Sequence, residues 1–143
     1  MSQPFVITLT ADHRRCDQLL AQVETAIQAA DCPLASGATE AFCTATEGHF
    51  RFEEETLFPP LEAVMPGATG PTAVMRQEHQ LIRGLMGDLR TAVAAQDCDD
   101  SLGVISTLHM VLQQHNIKEE GVLYPAADRN LADRVEQLLA SLA

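Results

Sequence analysis

Four stretches of this chain, roughly residues 9–30, 38–65, 71–97 and 101–124, repeat an apolar residue every three to four positions, and a shorter fifth lies near 128–142. That period buries one face of a helix and exposes the other, so each stretch needs neighbours of its own kind. Joined by short turns, four such helices satisfy one another in an up-down-up-down antiparallel four-helix bundle. The predicted class is all-α, with the fifth segment as a short C-terminal helix that caps the bundle or pairs with a second subunit. The 143 residues suffice for one domain, 1–143, and are short for two.

Composition agrees with that class. Hydrophobic residues make up 46% of the chain and aromatics 4%, with no Trp, which suits helix packing better than a β-sandwich. Residues 31–37, 66–71 and 97–101, rich in Pro, Gly, Asp and Ser, read as turns. Pro71 suits the first position of a helix and Ser101 an N-cap. Pro59-Pro60 and Pro125 are expected to kink or end their helices. No internal repeat in the strict sense is evident.

The seams of the four helices can be written out. They are Leu9, His13, Cys16, Leu20, Val23 and Ile27; Phe42, Thr46, His49, Glu53 and Leu57; Met75, His79, Ile82, Met86, Leu89 and Val93; and Ile105, Leu108, Leu112, His115, Glu119 and Val122. Four histidines and two glutamates thus stand where core residues belong. An unpaired buried carboxylate costs several kcal/mol, so something must compensate Glu53 and Glu119. Each follows a histidine by four residues, His49 and His115 respectively, which puts both groups of a pair on one helix face about a turn apart.

Axial level tests the idea further. At about 1.5 Å rise per residue, His13 and His79 lie near the starts of their helices, and Glu53 and Glu119 near the ends of theirs. Starts and ends alternate in an antiparallel bundle, so all six groups converge within one or two turns. A lone seam histidine is more often a hydrogen-bonded core residue than a ligand. Four of them with two HxxxE pairs at one level point to metal.

Four imidazoles and two carboxylates are too many for one tetrahedral zinc and too rich in nitrogen for calcium or magnesium. Two non-haem iron ions about 3.5–4 Å apart, bridged by the carboxylates and an oxo or hydroxo group from solvent, would use every ligand and leave open positions for a small molecule. The expected ligands are His13, His49, Glu53, His79, His115 and Glu119. Of the remaining residues, His109 reads as packing or surface and Cys16 as a small buried residue. Phe50, Phe58 and Tyr124 read as walls at the site end of the bundle. Glu54, Glu78 and Glu120 point elsewhere on their helices, with one of them available to hydrogen-bond a ligand, and Arg83 is a candidate partner for an anionic ligand.

Charge narrows the partners. A formal net charge of −11 with nine Lys and Arg argues against nucleic acid and against an anionic membrane surface. No stretch approaches the roughly 20 apolar residues of a membrane span, and the start lacks a basic segment followed by an apolar run, so a cytoplasmic protein is expected. Cys16, Cys32, Cys43 and Cys98 form no CxxC pair and read as free thiols.

Asp12-His13, the His49xxxGlu53 pair followed by Leu57-Phe-Pro, Glu78-His79, and the His115xxxGlu119-Glu pair followed by Val122-Leu-Tyr-Pro125 together resemble the hemerythrin-like, or HHE cation-binding, family over about residues 12–125. That resemblance implies a bundle with a non-haem di-iron site that handles oxygen, nitric oxide or peroxide, or senses iron. Arg83 stands where oxygen carriers of the family have a second histidine, and Glu119 where they use a more distant aspartate. Both features are similar to bacterial hemerythrin-like proteins linked to nitrosative stress and iron-centre repair. The resemblance therefore implies a reactive or sensing centre more than an oxygen store. Such a centre leaves room for a redox or signalling partner, and the chain is compatible with a monomer or a dimer. The alternatives are a non-enzymatic iron sensor and a structural bundle with a single adventitious metal.

Overall fold

The computed structural model describes residues 2–142, and among them there is no β-strand. The chain runs through α1 (Pro4–Gln28), α2 (Cys32–Phe52), a π-helical turn at Glu53–Leu57, α3 (Phe58–Val64) and a 3-10 turn at Pro66–Ala68. It continues through α4 (Thr69–Ala94), α5 (Cys98–Lys118), a second π turn at Glu119–Leu123, α6 (Tyr124–Asn130), a 3-10 turn at Ala132–Arg134 and α7 (Val135–Leu139). Helices α1, α2, α4 and α5 are the four-helix bundle, packed in that order around a ring with α5 closing against α1. No helix among the described residues is long and apolar enough to cross a membrane.

Helix boundaries depart from the sequence reading where capping decides them. Helix α1 starts at Pro4, ahead of the periodic pattern, because Asp128 accepts hydrogen bonds from the amides of Phe5 at 2.8 Å and Val6 at 3.1 Å. Residues 31–37 are not a turn. The Asp31 side chain accepts from the Leu34 amide at 3.1 Å, and α2 starts at Cys32 with Pro33 in its first turn. Likewise Asp97, not Ser101, caps α5, accepting from the Asp100 amide at 3.0 Å, while Ser101 is buried within the helix. Pro71 lies in the first turn of α4 rather than at its first residue.

Pro59-Pro60 and Pro125 do not end their helices. A proline ring collides with the carbonyl four residues back and supplies no N–H. Here the amides of Phe58 and Tyr124 reach five residues back, to the carbonyls of Glu53 and Glu119, which widens the turn just ahead of each proline. Each π turn inserts one residue into the helical period. Val122, expected on the seam, is therefore 57% exposed, while Leu123 and Tyr124 are buried. The other seam residues are buried, except Val93, which is half-buried.

These devices recur at a fixed spacing. Ala30 and Gln96 both adopt left-handed backbone, with φ of 55° and 57°, and close α1 and α4 in the same way. The Asp31 amide reaches the Ala26 carbonyl at 3.0 Å and the Asp97 amide the Ala92 carbonyl at 3.1 Å. N-caps (31 and 97), π turns (53–57 and 119–123) and prolines (59 and 125) all differ by 66 positions. The two hairpins, α1–α2 and α4–α5, are a structural repeat. It escapes notice in the sequence because most identities fall at caps, prolines and site positions.

Apolar layers fill both ends of the bundle, one around Phe5, Leu9, Leu57, Phe58 and Leu61, the other around Val23, Phe42, Ile82, Leu89 and Leu108. Leu131 and Leu138 are buried against the first layer, and Val135, Leu139 and Leu142 partly so, so the tail caps the bundle. Between the two layers lie the polar residues that the seams predict.

Candidate metal centre

His13 on α1, His49 on α2, His79 on α4 and His115 on α5 project into the bundle at one level, joined by Glu53 and Glu119 from the π turns, and all six are buried. They form two overlapping groups, His13, His49, Glu53 and Glu119, and Glu53, His79, His115 and Glu119, in each of which one donor atom per residue lies within 4.8 Å of the others. Both glutamates belong to both groups. The two oxygens of Glu53 face different histidines, Oε2 at 3.4 Å from His49 Nε2 and Oε1 at 3.1 Å from His79 Nε2. Glu119 does the same, with Oε1 at 3.1 Å from His13 Nε2 and 3.2 Å from His115 Nε2, and Oε2 at 3.7 Å from His79 Nε2.

The outer nitrogen of every histidine is held. His13 Nδ1 donates to Glu120 at 2.7 Å, His49 Nδ1 to Asp12 at 2.7 Å, His79 Nδ1 to Glu54 at 2.6 Å and His115 Nδ1 to Glu78 at 2.8 Å. In each case the carboxylate neighbours a site residue in sequence and serves the histidine of the adjacent helix. The four pairs close a ring around the bundle. Glu54, Glu78 and Glu120 thus do not point away from the site, and all three, with Asp12, fix a ring orientation and its tautomer.

Cations brace this ring. Arg15 donates to Asp12 at 2.9 Å and Lys118 to Glu78 at 2.6 Å. Arg83 is shared between Glu47, at 2.8 Å, and Glu54, at 3.0 and 3.1 Å. Its guanidinium is committed to carboxylates, so it is not a free partner for an anionic ligand. His109 is exposed and Cys16 buried outside both groups.

Charge and burial oppose each other at the centre. Burial alone would depress His79, yet the carboxylates of Glu119 and Glu53 push it up to about 9. For His49 burial is likewise outweighed, by Glu53 and Asp12, and for His115 by Glu119. Burial would raise Glu119, but His115, His13 and His79 hold it well below the usual carboxylate range. Protons on the histidines therefore stand in for the positive charge that the glutamates require, and a cation would displace them.

Four inner atoms, Glu53 Oε1, His79 Nε2, His115 Nε2 and Glu119 Oε2, are buried and lie within 3.1–3.7 Å of an opposite-charge site atom without a well-directed hydrogen bond. Buried polar atoms are nearly always paired, so four poorly satisfied atoms of metal-ligating type that converge on one place mark a candidate cation site. Nitrogen and carboxylate donors of this kind fit a transition-metal site.

Around the donors, Phe50 stacks on His79 with centroids 4.0 Å apart, and Phe58 lies parallel to the same ring at 6.1 Å. Tyr124 is more than the wall read from sequence. Its hydroxyl donates to Glu53 Oε2 at 2.6 Å and lies within 3.0 Å of Glu119 Oε1, His13 Nε2 and His49 Nε2.

Fold and site together define a metal-binding helical bundle. Residues 5–127 match the family model of the hemerythrin HHE cation binding domain, and the chain belongs to that family. Comparison with curated proteins and with solved structures gave no match.

Proposed function

We propose that the six residues hold two iron ions and that the centre binds or reacts with a small molecule of the class of oxygen, nitric oxide or peroxide. The carrying observation is the pair of donor groups that share Glu53 and Glu119, with four buried donor atoms that make no well-directed hydrogen bond. His13 and His49 would hold one ion, His79 and His115 the other, with the two glutamates spanning both. Bound iron would supply Lewis acidity and one-electron redox change.

The protein's own part is positioning and exclusion. The outer carboxylates aim each Nε2 inward, and the apolar layers above and below keep bulk water from the donors. Two imidazoles for each ion, with the carboxylates shared, would leave room at the centre for an incoming molecule. Purified protein reconstituted with iron without oxygen, then exposed in turn to oxygen, nitric oxide and peroxide, should develop the near-ultraviolet absorption of a bridged ferric pair and change it with at least one of the three. A colourless, unresponsive protein would refute the reading.

A second reading, iron sensing for a partner, is favoured by one specific feature. The donors cross-link all four helices at mid-bundle, so loading must couple to stability. Under that reading iron raises the melting temperature sharply while oxygen, nitric oxide and peroxide are left unconverted.

A further inference from the structure

The repeat that relates the two hairpins also relates the two halves of the site, and so reveals where they differ. His13 and His49 correspond to His79 and His115, and Glu53 to Glu119, at the same shift (13 and 79, 49 and 115, 53 and 119). Two buried neighbours do not correspond in kind. Phe58 is matched by Tyr124, and Phe50 by Asn116. The half around His79 and His115 is walled by the rings of Phe50 and Phe58. The half around His13 and His49 instead meets a hydroxyl.

Tyr124 Oη lies 2.6 Å from Glu53 Oε2, 2.9 Å from His13 Nε2, and 3.0 Å from both His49 Nε2 and Glu119 Oε1. Donors about 2.1 Å from one octahedral ion sit about 3 Å apart at neighbouring corners. The phenol oxygen thus stands at donor-to-donor spacing from all four atoms of the His13/His49 group, where it would serve as one more donor to an ion held there. The donors of the His79/His115 half, His79 Nε2, His115 Nε2, Glu53 Oε1 and Glu119 Oε2, are the four that make no well-directed hydrogen bond and meet no hydroxyl.

We propose that Tyr124 makes the two halves unequal: its hydroxyl oxygen closes the His13/His49 half to outside molecules, and the His79/His115 half, walled by Phe50 and Phe58, is the one that receives a small molecule. This rests on reading the site as a two-ion centre. Phe58→Tyr is the mirror-image variant, since it places the hydroxyl at the equivalent position of the open half.

The experiment loads wild-type protein, Tyr124→Phe and Phe58→Tyr with ferrous iron without oxygen. Iron per chain is measured first, then nitric oxide is titrated while the nitrosyl absorption is followed. Wild type takes up one nitric oxide per two irons, Tyr124→Phe takes up two, and Phe58→Tyr less than a tenth of the wild-type amount. Two per pair in wild type, one per pair in Tyr124→Phe, or undiminished binding in Phe58→Tyr would each overturn the inequality. A wild-type protein that holds fewer than two irons would instead overturn the two-ion reading, before nitric oxide is added. In the metal-free protein, Tyr124→Phe lowers the urea midpoint by stripping four donor atoms of their hydroxyl partner; an unchanged midpoint would show that the hydroxyl is not held there.

Discussion

Asp12→Ala is expected to weaken metal binding more than Glu120→Ala, although each removes one 2.7 Å hydrogen bond from a histidine Nδ1. The difference follows from burial. The Asp12 side chain is 8% exposed against His49 at 2%, whereas Glu120 is 34% exposed. Without Asp12, the His49 N–H is a buried donor with no protein partner, a loss of about 1–3 kcal/mol, and its ring is no longer held in place. Removing a partner of a metal-bound histidine typically lowers affinity about 10–100-fold, equivalent to roughly 1.4–2.8 kcal/mol. Asp12→Ala should fall at the upper end of that range. At Glu120 water can replace the lost carboxylate, so the expected loss is about tenfold or less. Glu54 and Glu78, 22% and 21% exposed, should fall between. Asp12 also helps hold His49 protonated, so its removal eases the competition from protons, and the net loss should be larger at pH 9 than at pH 7. Chelator competition at both pH values, with circular dichroism of the metal-free proteins as a folding control, measures it. Equal losses for Asp12→Ala and Glu120→Ala, or no loss for either, would refute the reasoning.

Two further predictions concern protons and backbone. In the metal-free protein His79 is raised to about 9, so its stabilisation is fully present below the unfolded value near 6.5 and disappears as pH rises through 9, while the depressed Glu119 makes stability fall as pH drops below about 4.5; urea midpoints across that range should trace a maximum, and metal uptake at pH 7 should release protons, detectable in a weakly buffered solution. Ala30→Gly or Gln96→Gly should each stabilise the fold by about 1 kcal/mol, since both residues occupy left-handed backbone at a helix end, and an unchanged or lower midpoint in urea would contradict that strain.

The bundle and its six inward groups are legible in the sequence because the two periods coincide. A residue that keeps the apolar period while being His or Glu has to sit in the core, and its distance from a helix end sets its level. The ring of outer carboxylates is not legible in that way. A residue next in sequence to a ligand lies about 100° around the helix, which for Asp12, Glu54, Glu78 and Glu120 is away from their own neighbour and toward the histidine of the adjacent helix. Only the packing order of the helices shows it. Arg83 is similar, since its partners Glu47 and Glu54 come from α2. The hydroxyl contacts of Tyr124 and the exposure of Val122 have another cause. Five residues after Glu119, Tyr124 would face away from the site on a regular helix, and the π turn ahead of Pro125 brings it back. The shift to Phe58 and Pro59 at the same interval was the available signal.

The most direct test is the number of ions per chain. After anaerobic loading with iron and removal of loose metal, elemental analysis of the wild type and of the Glu53→Gln/Glu119→Gln double variant compares a complete pair of donor groups with one stripped of both shared carboxylates. The account predicts two irons in the wild type and fewer than one in the double variant. One iron or none in the wild type, or two retained in the double variant, would contradict it.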